Sequence, residues 1–184
     1  MEDNEHYDSI IKLLSVSVTT EEDDANVERI IELDLIPYIV TIIQNSDWTN
    51  VRYIPCLNLI ANLSNSSSDA ATKFMEAKVY IHLLSEIKKS MQLYKVLLSL
   101  FDEDSVETIQ EALTKYKTLA AQIKTLGGLL QCSDSEDRMK ILNSEVVKDL
   151  ISIMGHEETD PILLTAVCTF ALDVFETEEV ENNV

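Results

Sequence analysis

Glycine and proline are scarce in this chain, with three of each in 184 residues. Sheet-rich folds use many such residues in turns, whereas stacked helices need few. With glycine only at 127, 128 and 155, there is no P-loop, no G-x-G-x-x-G loop and no G-x-S-x-G nucleophile elbow. Cations are also few. The 14 Lys and Arg stand against 33 Asp and Glu, for a formal net charge of −19. Phosphate contacts need a cationic excess, so the chain is expected to be a poor nucleic-acid binder. Long apolar runs are missing as well. The longest, Leu33 to Ile43, holds Asp34 and Pro37 and is too short for a membrane span. The chain is nonetheless 46 % apolar, too rich in Leu, Ile and Val for a disordered acidic tail.

Reactive constellations are absent too. Three cysteines, Cys56, Cys132 and Cys168, are too sparse for a disulfide framework and read as core thiols in a reducing compartment. The acidic start, Met1 to Glu5, lacks the basic and apolar regions of a secretory signal. A cytoplasmic protein is expected, with the nucleus as an alternative. The sequons beginning at Asn62 and Asn65 are then expected to stay unmodified. There is no C-x-x-C pair, and His156-Glu157-Glu158 is followed by no histidine. Asp102-Glu103-Asp104 lacks the glycine and the terminal glutamate of a calcium loop. His82, within an apolar stretch, reads as a packing histidine. No catalytic residue, metal or cofactor is expected, and an enzyme is disfavoured.

What the sequence does contain is helical periodicity. Val106, Ile109, Leu113, Tyr116, Ala120 and Ile123 are spaced 3, 4, 3, 4, 3. This stripe either packs on the repeat core or forms a heptad-like seam for a partner helix or a second copy of the chain. Its outward residues include Glu107, Gln110, Glu111, Lys115, Lys117 and Lys124. Asp104 or Ser105 is placed to cap that helix, and Gly127-Gly128 to end it in a left-handed turn. Ser144 is placed to cap a helix through Met154, and Asp160-Pro161 to start one that runs to about Phe175. Thr19 to Asp24 and Ser64 to Asp69 read as loops, and residues 177–184 as an acidic tail. The class is all-α.

The pattern also repeats. An amphipathic turn, a polar break and a more apolar helix recur around Ile31, Met75 and Leu142, at spacings of 44 and 67 residues. The first spacing suits a two-to-three-helix repeat of roughly 40–47 residues. The second implies an insertion, assigned to a long helix near 105–126. The units fall near 25–65, 70–102 and 136–176, within a single domain of residues 1–176.

At these residues the chain resembles the armadillo-repeat family. Leu35-Ile36-Pro37-Tyr38-Ile39-Val40 is similar to the start of that family's second helix. Leu59-Ile60-Ala61-Asn62-Leu63-Ser64 is similar to the end of its third, and Ala166 to Phe175 resembles a further third helix. The resemblance implies a short right-handed solenoid of three to four irregular repeats. It departs from the family at the glycine before the second helix, which is here Asp34, Lys78 or Glu145, leaving a tight corner in question. Pro55 falls inside the first third helix and should kink or restart it. In importin-α-like members a tryptophan stands four residues before the asparagine of the third helix. Those positions are Asn58 and Thr169 here, and Trp48 lies elsewhere, which argues against an import receptor.

By that resemblance, Asn58, Asn62, Thr169 and Asp173 are the candidate partner-binding residues. Asn62 either faces a bound backbone, for which an amide offers both donor and acceptor, or caps its helix end. The implied function is a non-catalytic adaptor binding a segment of another protein. The net charge of −19 makes a basic segment or surface the expected partner. The alternative is a regulatory factor of the kind that clasps Hsp70 or a small GTPase.

Overall fold

The computed structural model of the chain describes residues 10–15, 17–18, 24–46, 50, 52–100, 106–154 and 160–182; for 24, 95, 97–100, 106–113 and 175–182 only the backbone is described. Every element among the described residues is a helix. A short helix α1 (residues 10–15) precedes three successive groups of three. The first is α2 (Asp24–Glu32), α3 (Ile36–Gln44) and α4 (Tyr53–Ser66). The second is α5 (Ser68–Glu76), α6 (Val79–Leu100) and α7 (Val106–Gln131). The third is α8 (Ser135–Leu142), α9 (Glu145–Ile153) and α10 (Pro161–Asn182).

The corner between the first two helices of a group has a definite cause. Asp34 has φ 50° and Lys78 φ 55°, the left-handed conformation that glycine adopts most easily. After α2, the Leu35 N–H donates to the Ile30 carbonyl at 3.1 Å and the Asp34 N–H to that of Ile31 at 3.0 Å. This is a complete Schellman stop, and it satisfies carbonyls that the helix end would otherwise leave open. After α5, the Lys78 N–H donates to the Met75 carbonyl at 2.8 Å. So the tight corner forms twice without glycine. In the third group the corner is built differently. Ser144, with φ −67° and ψ 147°, caps α9 by accepting from the Val147 N–H, and Glu145 already lies inside α9.

Other starts follow the sequence. Asp160 Oδ1 accepts from the N–H groups of Ile162 at 2.8 Å and Leu163 at 3.3 Å, with Pro161 as the first residue of α10. Pro55 is the third residue of α4, so it opens the helix rather than kinking it, and its missing N–H breaks no bond. Two expected boundaries shift. α4 runs through Ser66, and Ser67 alone separates it from α5, so Ser64 to Asp69 is not a loop. α10 runs past Phe175 to Asn182, so the backbone of the tail is helical up to that residue. Gly155, Trp48, residues 19–23, the Asp102-Glu103-Asp104 and His156-Glu157-Glu158 stretches, and the cap at Asp104 or Ser105 lie outside the described residues.

The largest correction concerns the glycines. Neither Gly127 nor Gly128 has a positive φ, and α7 continues through both to Gln131. The long helix expected near 105–126 is α7, which follows α5 and α6 in the middle group, and the 67-residue spacing accompanies 22 residues in α6 and 26 in α7, against 9 in α3 and 14 in α4. α7 packs against α4, α6 and α10 more extensively than any other helix packs. Tyr116, Leu119, Ile123, Leu126, Leu129 and Leu130 are buried in the common core. The stripe thus packs inward from Tyr116 onwards; the side chains of Val106, Ile109 and Leu113 are outside the described set.

Polar groups fix the register. Gln122, fully buried, donates from Nε2 to Tyr53 Oη at 3.0 Å, and Thr125 Oγ1 donates to the Leu57 carbonyl at 3.1 Å. Both bonds lock α7 to α4. Tyr80 Oη donates to Asp137 Oδ1 at 2.8 Å and ties α6 to α8. Hydrogen bonds from Lys140 and Tyr80 hold the Asp137 carboxyl below its usual range. Cys56 is a core thiol whose pKa burial pushes up to about 12, while Cys132 and Cys168 are half-buried. His82 is half-buried, and burial lowers its pKa.

Candidate functional site

Between Tyr116 and Gln131, α7 is buried almost all round. The stripe Lys117, Ala121, Lys124, Gly128, Gln131, spaced 4, 3, 4, 3, lines a cleft, with Lys117, Lys124 and Gln131 exposed. Helical geometry puts these residues on one line. They form one side of the cleft, whose volume is about 480 Å³ and whose other sides are α4 and α10. α4 contributes Ile54, Asn58 and Asn65; α10 contributes Thr165, Thr169, Phe170 and Asp173, among others. The apolar part of the lining is Ile54, Ala120, Ala121, Ile162, Ala166 and Phe170. The polar part consists of amides, hydroxyls, two lysines and one carboxylate.

The two glycines shape one end of the cleft. A Cβ on Gly127 would lie 2.4 Å from Asp173 Oδ2, and one on Gly128 would lie 2.9 Å from Asn65 Oδ1. Asp173 from α10 and Asn65 from α4 therefore rest against bare α7 backbone. Asp173 is held there by Gln131, whose Nε2 donates to Oδ1 at 2.7 Å.

Of the residues singled out from sequence, Asn58, Thr169 and Asp173 line this one cleft. Asn62 does not: it is half-buried in α4, a turn before the helix ends, and the residue that caps that end is Ser67. The amide in the cleft is Asn65, seven residues after Asn58 and so on the same face of α4. Sequence reasoning passed over Asn65 and Gln131 as lining residues and read the Gly127-Gly128 pair as a helix end. A signal for the glycines was present. Ile123, Leu126 and Leu130 carry the 3–4 spacing straight through them, which a helix ending at Gly127 would not need.

The cleft is lined with hydrogen-bonding side chains. Asn58 and Asn65 each offer both a donor and an acceptor, and Thr165 and Thr169 expose hydroxyls. Both threonine hydroxyls, however, also donate to carbonyls one turn back, at 2.7 and 3.0 Å. Among the described residues no group of three or more His, Cys, Asp or Glu is placed to hold a metal ion. No described helix is long and apolar enough to cross a membrane. Compared with protein-family models, curated proteins and solved structures, the chain matches none.

Proposed function

We propose that this chain is a non-catalytic protein-interaction module, an armadillo-like solenoid that holds an extended segment of a partner protein in the α4–α7–α10 cleft. The observation that supports this reading is the lining itself. Asn58, Asn65 and Gln131 line the cleft together with the small residues Ala120, Ala121 and Gly128, so amides accompany a lining that a backbone can approach closely. A peptide backbone presents a donor and an acceptor at every residue, and amides meet both. The lined stretch of α4, Ile54 to Asn65, is about 16 Å long at 1.5 Å per residue. About five residues of extended chain span it.

The test blocks the cleft. Thr169→Trp puts a large ring into it from an exposed position on α10. Partners captured by the wild-type chain are identified by mass, and capture is repeated with the variant after its helical spectrum and melting temperature are shown to be unchanged. The reading expects a partner lost with Thr169→Trp and displaced by a short synthetic segment of its own sequence. Capture that survives the block, and that only the intact folded partner displaces, would favour a module that clasps a domain, such as Hsp70 or a small GTPase.

A further inference from the structure

The described lining of the cleft runs against the charge of the chain. The chain as a whole carries −19. The cleft lining nevertheless holds two lysines, Lys117 and Lys124, against the single carboxylate of Asp173. That carboxylate already accepts the Gln131 amide. Both lysines are exposed, and neither makes an ion pair with a described residue. Lys73, Lys88, Lys89 and Lys140, by contrast, each hold a carboxylate. Lys12 and Lys148 likewise pair with no described carboxylate; what sets Lys117 and Lys124 apart is that they line one cleft, about 10 Å apart along α7, where a single ligand can meet both.

We infer that the segment bound in this cleft is acidic, with two carboxylates about three residues apart that meet Lys117 and Lys124. The inference rests on the reading of the cleft as a peptide site and names the chemistry of its ligand. The spacing follows from geometry. Seven residues of helix advance about 10 Å and return to nearly the same face. A polyproline II segment advances about 3 Å per residue and repeats its face every third residue, so side chains at i and i+3 are about 9 Å apart on one side. A basic segment, the partner expected from net charge alone, would meet two like charges here and only Asp173 in its favour. The acidic exterior has a second effect. It repels an acidic segment from the anionic parts of the surface, which favours binding at the lysine-bearing cleft.

A random twelve-residue peptide library displayed on phage tests this. Peptides are selected on the full wild-type chain and depleted on Thr169→Trp and, separately, on Asn58→Trp, so that only cleft-dependent binders remain. The inference expects these binders to be rich in Asp and Glu at i, i+3 spacing. Synthetic copies should bind Lys117→Gln and Lys124→Gln each about fivefold more weakly, the size of one exposed ion pair of about 1 kcal/mol. Cleft-dependent binders that are neutral or basic, or acidic ones indifferent to both lysine changes, would overturn the acidic-segment inference and leave the cleft a peptide site. Recovery of no cleft-dependent binder would overturn the reading of the cleft itself.

Discussion

A single residue, Lys78, marks where this chain departs from easy backbone chemistry. It holds φ 55° at the end of α5, where its Cβ crowds the following carbonyl. Asp34 does the same at φ 50°, but a short polar side chain tolerates that region better than a long one. Lys78→Gly should therefore stabilise the protein by about 0.5–1 kcal/mol: strain of about 1–2 kcal/mol is relieved, and part of it is offset by the extra freedom glycine has when unfolded. Asp34→Gly should gain less, and Lys78→Ala, which keeps the Cβ, should gain nothing. Urea titration with an unchanged slope checks all three. A loss of stability in Lys78→Gly would mean that the lysine side chain contributes more than its backbone conformation costs. These corners explain why sequence left them open. The glycine that announces a left-handed turn is missing, and the turn is imposed by the packing of α2 on α4 and of α5 on α4 and α6.

At the scale of helices, the pair Gly127-Gly128 decides how close α4 and α10 come to α7. Glycine inside a helix is about 1 kcal/mol worse than alanine, so its presence calls for a reason, and the reason here is contact. Gly127→Ala gains that propensity but drives Asp173 off its seat and out of its 2.7 Å bond with Gln131. One neutral-to-charged hydrogen bond offsets about as much, so the single change should leave stability within about 1 kcal/mol of wild type. In an Asp173→Ala background the obstruction is gone, and the same change should gain about 1 kcal/mol. The difference between the two backgrounds is the coupling that a double-mutant cycle reads. Equal effects in both would show that Asp173 does not rest on Gly127. The same glycines show what sequence could reveal. Helix starts at Ser144 and Asp160-Pro161 were legible because caps are local signals, and the run of α7 up to Gly127 because 3–4 spacing is one as well. The course of α7 beyond Gly127 was not, because a glycine after an apolar stripe reads as a stop until the helices crossing it are known. A repeat pattern singled out Asn58, Thr169 and Asp173, and the fold brings these three to one cleft. Asn65 was hidden because α4 outlasts its expected end by two residues, which puts Asn65 on the cleft side of a helix instead of in a loop.

For the whole molecule, the dominant fact is the imbalance of 33 acidic against 14 basic residues. Like charges on a folded chain lie closer together than on an unfolded one, so net charge destabilises the compact state. Apart from Lys89–Glu86, whose carboxylate is buried, the favourable pairs that could counter this are weak. Arg29–Glu32, Lys73–Asp69 and Lys140–Glu136 are exposed pairs on single helices, and Lys88–Glu145 between α6 and α9 is exposed as well. Each contributes about 0–1 kcal/mol and weakens with salt. The repulsion acts over longer distances, so it weakens more. The Debye length falls from about 30 Å at about 0.01 M ionic strength to about 10 Å at about 0.1 M. Raising sodium chloride over that range should therefore raise the melting temperature. Relief of about 1 kcal/mol corresponds to roughly 2–4 °C in a chain of this size. Chloride is the right anion, since sulfate would stabilise apolar burial by a separate route. The Lys117→Gln/Lys124→Gln double variant sharpens the test. It adds to the repulsion by removing two cations that pair with no described carboxylate, so it should melt lower than wild type at low salt and converge with it at high salt. A melting temperature that falls as salt rises would mean that attractive pairs, not net repulsion, govern the folded state. The acidic exterior could not then be what favours the cleft for an acidic segment.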